Sequence, residues 1–118
     1  MADYHEPVEE LSADTKNHSR ALKSLKEEVE AIDWYNQRVD VSDNEQLAAI
    51  MAHNRDEEIE HACMALEWLR RNMPEWNEAL RTFLFTEGDI TTLEENMESG
   101  EVGKADSGMD SDLGIGKL

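Results

Sequence analysis

Apolar residues return at steps of three and four along two long stretches that contain neither glycine nor proline. In the first, Thr15 to Arg38, the residues Leu22, Leu25, Val29 and Ile32, with Val39 just beyond, mark one face of an amphipathic helix. Ser12 or Asp14 can cap its start, because either side-chain oxygen can accept a free N–H of the first turn. In the second stretch, Asn44 to Asn72, a stripe runs through Leu47, Ile50, Asn54, Glu58, His61, Ala65 and Trp68. The intervening Asp40-Val41-Ser42-Asp43 reads as a short turn, with Ser42 or Asp43 as the cap of the second helix. So short a link predicts an antiparallel helical hairpin. Pro74 disfavours helix at Met73 and then suits the first turn of a third, shorter helix, Pro74 to Leu84. Trp76, Leu80, Phe83 and Leu84 give that helix its apolar side.

After Glu87-Gly88 the periodicity stops. Gly88, Gly100, Gly103 and Gly108 punctuate an acidic stretch in which Thr91 and Glu94 can cap a brief helical turn. The expected organisation is a flexible N-terminus (1–11), an all-α domain (12–86), a flexible acidic linker (87–112) and a terminal segment (113–118) in a disordered tail. In that segment Leu113, Ile115 and Leu118 alternate with glycine or stand at the end. If extended, it would place alternate side chains in the pockets of a partner.

Two residues in the second stripe do not belong in an apolar core. Glu58 and His61 are three apart and project from one helix face, where burial is unfavourable unless the charge is paired or holds a metal. Glu28 interrupts the first stripe in the same way, between Leu25 and Ile32. A hairpin of two long helices encloses little, and a second copy would complete a four-helix bundle. A ferritin-like di-iron site takes one Glu from each of two helices and Glu-x-x-His from each of the other two. One chain supplies half of that set, and two chains related by a two-fold axis supply all of it. Carboxylate and imidazole donors without thiolate suit iron or manganese better than a closed structural zinc site. A surface ion pair or a satisfied core histidine is the simpler reading of Glu58 and His61 taken by themselves.

Charge narrows the partners. The net charge is −17, with 19 acids against 9 bases in residues 1–86 and 9 against 2 in residues 87–118. A nucleic-acid partner is therefore not expected, whereas cations are attracted. Cys63 is the only cysteine, which excludes an internal disulfide and suits a reducing cytoplasm. No signal-peptide pattern and no apolar run of membrane-spanning length is present, so no membrane association is expected.

The run Glu27-Glu28-Val29-Glu30-Ala31-Ile32-Asp33-Trp34-Tyr35, then His53 to His61, then Leu66 to Arg71, resembles the encapsulated ferritins. The segment Leu113 to Leu118 is similar to the peptides that target cargo into encapsulin shells. The resemblance spans roughly residues 6 to 90 and that segment. It implies a hairpin with a short C-terminal helix, dimerising into a ferritin-like four-helix bundle and associating further into an open ring, often a decamer. It also implies a ferroxidase that oxidises Fe(II) to Fe(III) with oxygen or peroxide, two irons per dimer, and feeds mineral storage inside a cytoplasmic encapsulin nanocompartment. Glu28, Glu58 and His61 match the ferroxidase ligands. Tyr35 matches a tyrosine that hydrogen-bonds near the site. Glu27, Glu30 and Trp34 match a secondary metal site, for calcium or another divalent cation, on the approach path. The shell protein is the implied partner of the tail.

Two further readings use the same residues: a metal-buffering or metal-delivery oligomer without oxidation, and a structural helical dimer with an interaction peptide. A hemerythrin-like oxygen carrier is disfavoured, because His5, His18, His53 and His61 are too few and too badly spaced.

Overall fold

The computed structural model describes residues 4–99. A short 3-10 turn, Val8–Glu10, precedes four helices: α1 (Ala13–Val41), α2 (Glu45–Asn72), α3 (Pro74–Phe83) and α4 (Ile90–Ser99). No strand occurs among the described residues, as the helical periodicity requires.

The chain forms two compact units that divide between Asn72 and Met73. The first is the hairpin of α1 and α2. Ser12 caps α1, its Oγ accepting the Thr15 N–H at 3.0 Å. α1 ends where the Ser42 N–H donates to the Arg38 carbonyl at 3.1 Å. The cap of α2 is Asn44, just beyond both sequence candidates: its Oδ1 accepts the Leu47 N–H at 2.9 Å. Ser42 instead accepts the Asn44 N–H at 3.4 Å and tightens the turn. The guanidinium of Arg55 ties the two helices together by donating to Asn36 Oδ1 at 3.0 Å.

The half-buried or buried apolar residues include Ala21, Leu25, Ile32, Tyr35 and Val39 on α1 and Ala48, Met51, Ala62, Leu66 and Leu69 on α2, the two helices that pack together. Of these only Leu69 is fully buried, at 0% exposure. Of the stripe read from the sequence of α2, Asn54, Glu58 and Ala65 are half-buried, and Leu47, Ile50, His61 and Trp68 are exposed. Leu47, Ile50 and Trp68 are 48%, 45% and 37% exposed. The hairpin thus buries one flank of its apolar surface and leaves another flank open.

The second unit contains α3 and α4, which pack on each other. Met73 is extended (φ −133°, ψ 108°), as a residue before proline prefers, and Pro74 opens α3. Thr82 is buried, and its hydroxyl donates to the Glu78 carbonyl at 2.9 Å. Phe85, at φ 59°, turns the chain out of α3, and Gly88 at φ 92° comes next in a conformation natural to glycine. The ten-residue α4 occupies part of the stretch read as linker and is longer than the brief turn expected there. Asp89 sets it up, accepting from the hydroxyls of Thr91 and Thr92 at 2.8 Å each. Those bonds, Thr92 first, hold the Asp89 carboxyl below its usual range.

Candidate metal centre

Glu28 is the sixteenth of the 29 residues of α1, and Glu58 and His61 are the fourteenth and seventeenth of the 28 residues of α2. In an antiparallel hairpin these positions fall at the same level, half-way along both helices. The fold therefore gathers them: one ligand atom from each lies within 4.8 Å of the others. His61 Nδ1 is 3.4 Å from Glu58 Oε1 and 3.7 Å from Glu28 Oε1. Among the described residues this is the one grouping of three or more acidic, histidine or cysteine side chains with metal-binding spacing.

The electrostatics match that crowding. Glu28 and Glu58 bring carboxylate oxygens within 4.8 Å of each other, close enough to compete for one proton. Hydrogen bonding with Glu58 raises the Glu28 carboxyl above its usual range, with burial and the charge of Glu58 adding to the effect. The same bond lowers Glu58, and the hydrogen bond and charge of His61 lower it further. The two titrate as a pair. A divalent cation would take the place of the shared proton, and two carboxylates with an imidazole are hard-to-borderline donors suited to iron or manganese.

The site is open on one side. The side chains of Glu28 and Glu58 are 25% and 27% exposed and that of His61 is 44% exposed. The three side chains lie on the surface of the hairpin, and Leu47, Ile50 and Trp68 of the same α2 stripe are exposed as well.

The other sequence candidates are less gathered. Tyr35 is half-buried two turns beyond Glu28, and the Arg38 guanidinium lies 5.3 Å from its ring centroid. Glu27 faces solvent with Lys23 Nζ at 4.0 Å, Glu30 is exposed, and Trp34 is 51% exposed. Within one chain these three do not close around a common point with a third acidic or histidine ligand. Leu113, Ile115 and Leu118 lie outside the described residues. Sequence reasoning did not single out Arg55, although an arginine on an apolar helix flank near the hairpin turn is a signal for a bridging role.

The profile of the EncFtn-like family matches residues 3–87. The chain belongs to that family. The EncFtn-like match ends soon after α3, so α4 lies beyond it. Over its full length the chain is 56% identical to a Ferritin-like protein of Thermotoga maritima, all of which is covered. It is 54% identical to an Encapsulated ferritin-like protein of Rhodospirillum rubrum, over 97% of this chain and 86% of that one. A crystal structure of a Nitrosomonas europaea protein superposes with a TM-score of 0.73 at 52% identity, covering 75% of this chain and 98% of that chain. This EncFtn-like chain therefore shares its helical fold with a solved relative close in sequence.

Proposed function

We propose that two copies of this chain pair across the open side of the site and act as a ferroxidase. The observation that carries this reading is the half-complete ligand set: Glu28, Glu58 and His61 converge at mid-hairpin on a face that still exposes apolar side chains. Pairing supplies the six ligands that a ferritin-like di-iron centre uses. Fe(II) is then substrate as well as ligand partner. Glu58 and His61 of each chain would hold one ion, with the Glu28 carboxylates of both chains shared between the two. Two Fe(II) together would supply two electrons, reducing dioxygen to hydrogen peroxide or peroxide to water with uptake of two protons, and leave two Fe(III). The chain's part is geometry, charge and proton release from the Glu28–Glu58 pair when metal enters.

In this reading Tyr35 supports the site from the same face of α1. Glu27, Glu30 and Trp34 form a secondary site for calcium or another divalent cation on the approach, completed by residues of a neighbouring chain. The Fe(III) product passes to mineral storage within an encapsulin nanocompartment in the cytoplasm. The encapsulin setting is supported by the name of the Rhodospirillum rubrum relative, and Leu113, Ile115 and Leu118 would anchor the chain to the shell. Further association of the dimers into a ring, often a decamer in such proteins, completes the assembly.

The test is Fe(II) oxidation monitored by absorbance and oxygen uptake. The wild-type protein should oxidise Fe(II) faster than buffer, and Glu58→Ala should return the rate to the buffer value. Tight iron binding with no acceleration would favour a metal-buffering or delivery protein. No iron retained after growth and purification with iron would favour a structural dimer.

A further inference from the structure

Arg55 lies three residues before Glu58 on α2. Side chains three apart on a helix are neighbours, with Cβ atoms about 5–6 Å from each other. The same helix shows what that spacing allows. Glu67 and Arg70 are also three apart, in the opposite order, and Arg70 donates to both Glu67 oxygens, at 2.8 and 2.9 Å. Arg71 adds a bond to Glu67 at 2.7 Å. Arg70, and after it Arg71, holds the Glu67 carboxyl down at about 2. That carboxylate is engaged by cations of its own helix.

Arg55 is placed otherwise. Its guanidinium donates across the hairpin to Asn36 Oδ1 at 3.0 Å, and its Nε donates to Asp56 Oδ1 at 3.1 Å. The side chain is 28% exposed. Asn36 stands eight residues beyond Glu28, about 12 Å along α1 toward the loop. Arg55 stands only about 4.5 Å toward the loop from Glu58. The bond to Asn36 therefore draws the guanidinium away from the level of the site. Asp56 is the weaker hold, because its side chain is 62% exposed and water screens the pair. The hydrogen bonds that act on the Glu58 carboxyl come from Glu28 and His61, and neither is a guanidinium. A carboxylate gripped by an arginine fork offers the same lone pairs that a metal needs, so the two compete.

We propose that Asn36 is a positioning residue for the metal site: by holding the Arg55 guanidinium on α1, it keeps the Glu58 carboxylate open to a cation. The inference rests on the metal site proposed above and adds a residue outside its ligand set.

A double-mutant cycle read by Mn(II) binding to the full-length chain, in isothermal titration, tests it. Asn36→Ala should weaken Mn(II) about tenfold, because Arg55 then turns onto Glu58, with helix content unchanged by circular dichroism. Adding Arg55→Ala should bring the affinity back to within about threefold of the wild type, and Arg55→Ala by itself should bind no more weakly than the wild type. A tie that merely braces the hairpin gives another pattern: the double variant binds as weakly as Asn36→Ala, and Arg55→Ala is weakened too. That pattern overturns the proposal, as does an Asn36→Ala affinity equal to that of the wild type. The second arm needs no metal. In a metal-free crystal structure of Asn36→Ala the Arg55 guanidinium should lie within hydrogen-bond distance of a Glu58 oxygen. A guanidinium that stays on Asp56 overturns the proposal. Neither arm reads iron oxidation, so a chain that shows this cycle and this contact yet oxidises no iron would sink the ferroxidase reading and leave the role of Asn36 standing.

Discussion

Removing Glu28 should uncouple assembly from metal. In the proposed pair, two Glu28 and two Glu58 side chains would crowd one interface; within one chain both carboxylates already lie against the same His61 nitrogen. Two like charges 4 Å apart repel by about 1 kcal/mol in water and about 4 kcal/mol at the effective dielectric of a protein surface. Their side chains are a quarter exposed, so repulsion between the facing sets falls between those limits. The raised Glu28 carboxyl lessens it by holding its proton to higher pH than a free glutamate does. Metal relieves the rest. A divalent cation present at a hundred times its dissociation constant stabilises the form that binds it by about 2.7 kcal/mol per site, so two sites in the pair raise the dimer constant by roughly ten-thousandfold. Sedimentation equilibrium of the full chain across a titration of Mn(II), a redox-quiet stand-in for Fe(II), measures this. The wild type should tighten by that order. Glu28→Ala should start from a tighter metal-free dimer, because one carboxylate per chain has gone, and should barely respond to metal. A wild-type dimer constant indifferent to both Mn(II) and chelator would refute the reasoning, as would a metal response in Glu28→Ala equal to that of the wild type.

His61→Ala should slow iron oxidation at least a hundredfold with helix content retained, whereas Glu60→Ala, one residue off the site face, should stay within about threefold; stopped-flow absorbance compares them. Metal affinity should fall with acid: Glu28 is protonated below its raised pKa, and metal must displace that proton, so isothermal titration should show more proton release and weaker binding at pH 5 than at pH 7. The carboxyl of Glu67, lowered to about 2 by Arg70 and then Arg71, contributes stability above its unfolded value of 4.5, and that contribution is lost as pH falls from 4.5 toward 2. With a side chain 42% exposed, solvent screening limits it to about 1 kcal/mol, so Glu67→Gln should lower the melting temperature slightly at pH 7 and not at pH 2.

The hairpin was legible because its signals are local. Two long runs without glycine or proline, a four-residue turn and Pro74 suffice to place α1, α2 and α3. The gathering of Glu28 with Glu58 and His61 was legible for the same reason, since helix periodicity and an antiparallel link put them at one level. Part of the α2 stripe is exposed in a single hairpin, because apolar spacing cannot distinguish the flank that meets α1 from a flank left open. Leu47, Ile50 and Trp68 satisfy the same period and are exposed. α4 was read too short because Thr91 and Thr92 are poor helix formers, and the capping by Asp89 that organises them depends on a particular side-chain geometry. The grouping of Glu27, Glu30 and Trp34 came from resemblance, and a single chain does not assemble it.

Native mass spectrometry of the full chain, with and without Fe(II) under anaerobic conditions, reads chains and metal in one spectrum. A centre shared between chains predicts that iron appears only on species with an even number of chains, at two ions per pair, and that monomers carry none. Iron bound to monomers with the same affinity, one ion per chain, would contradict it.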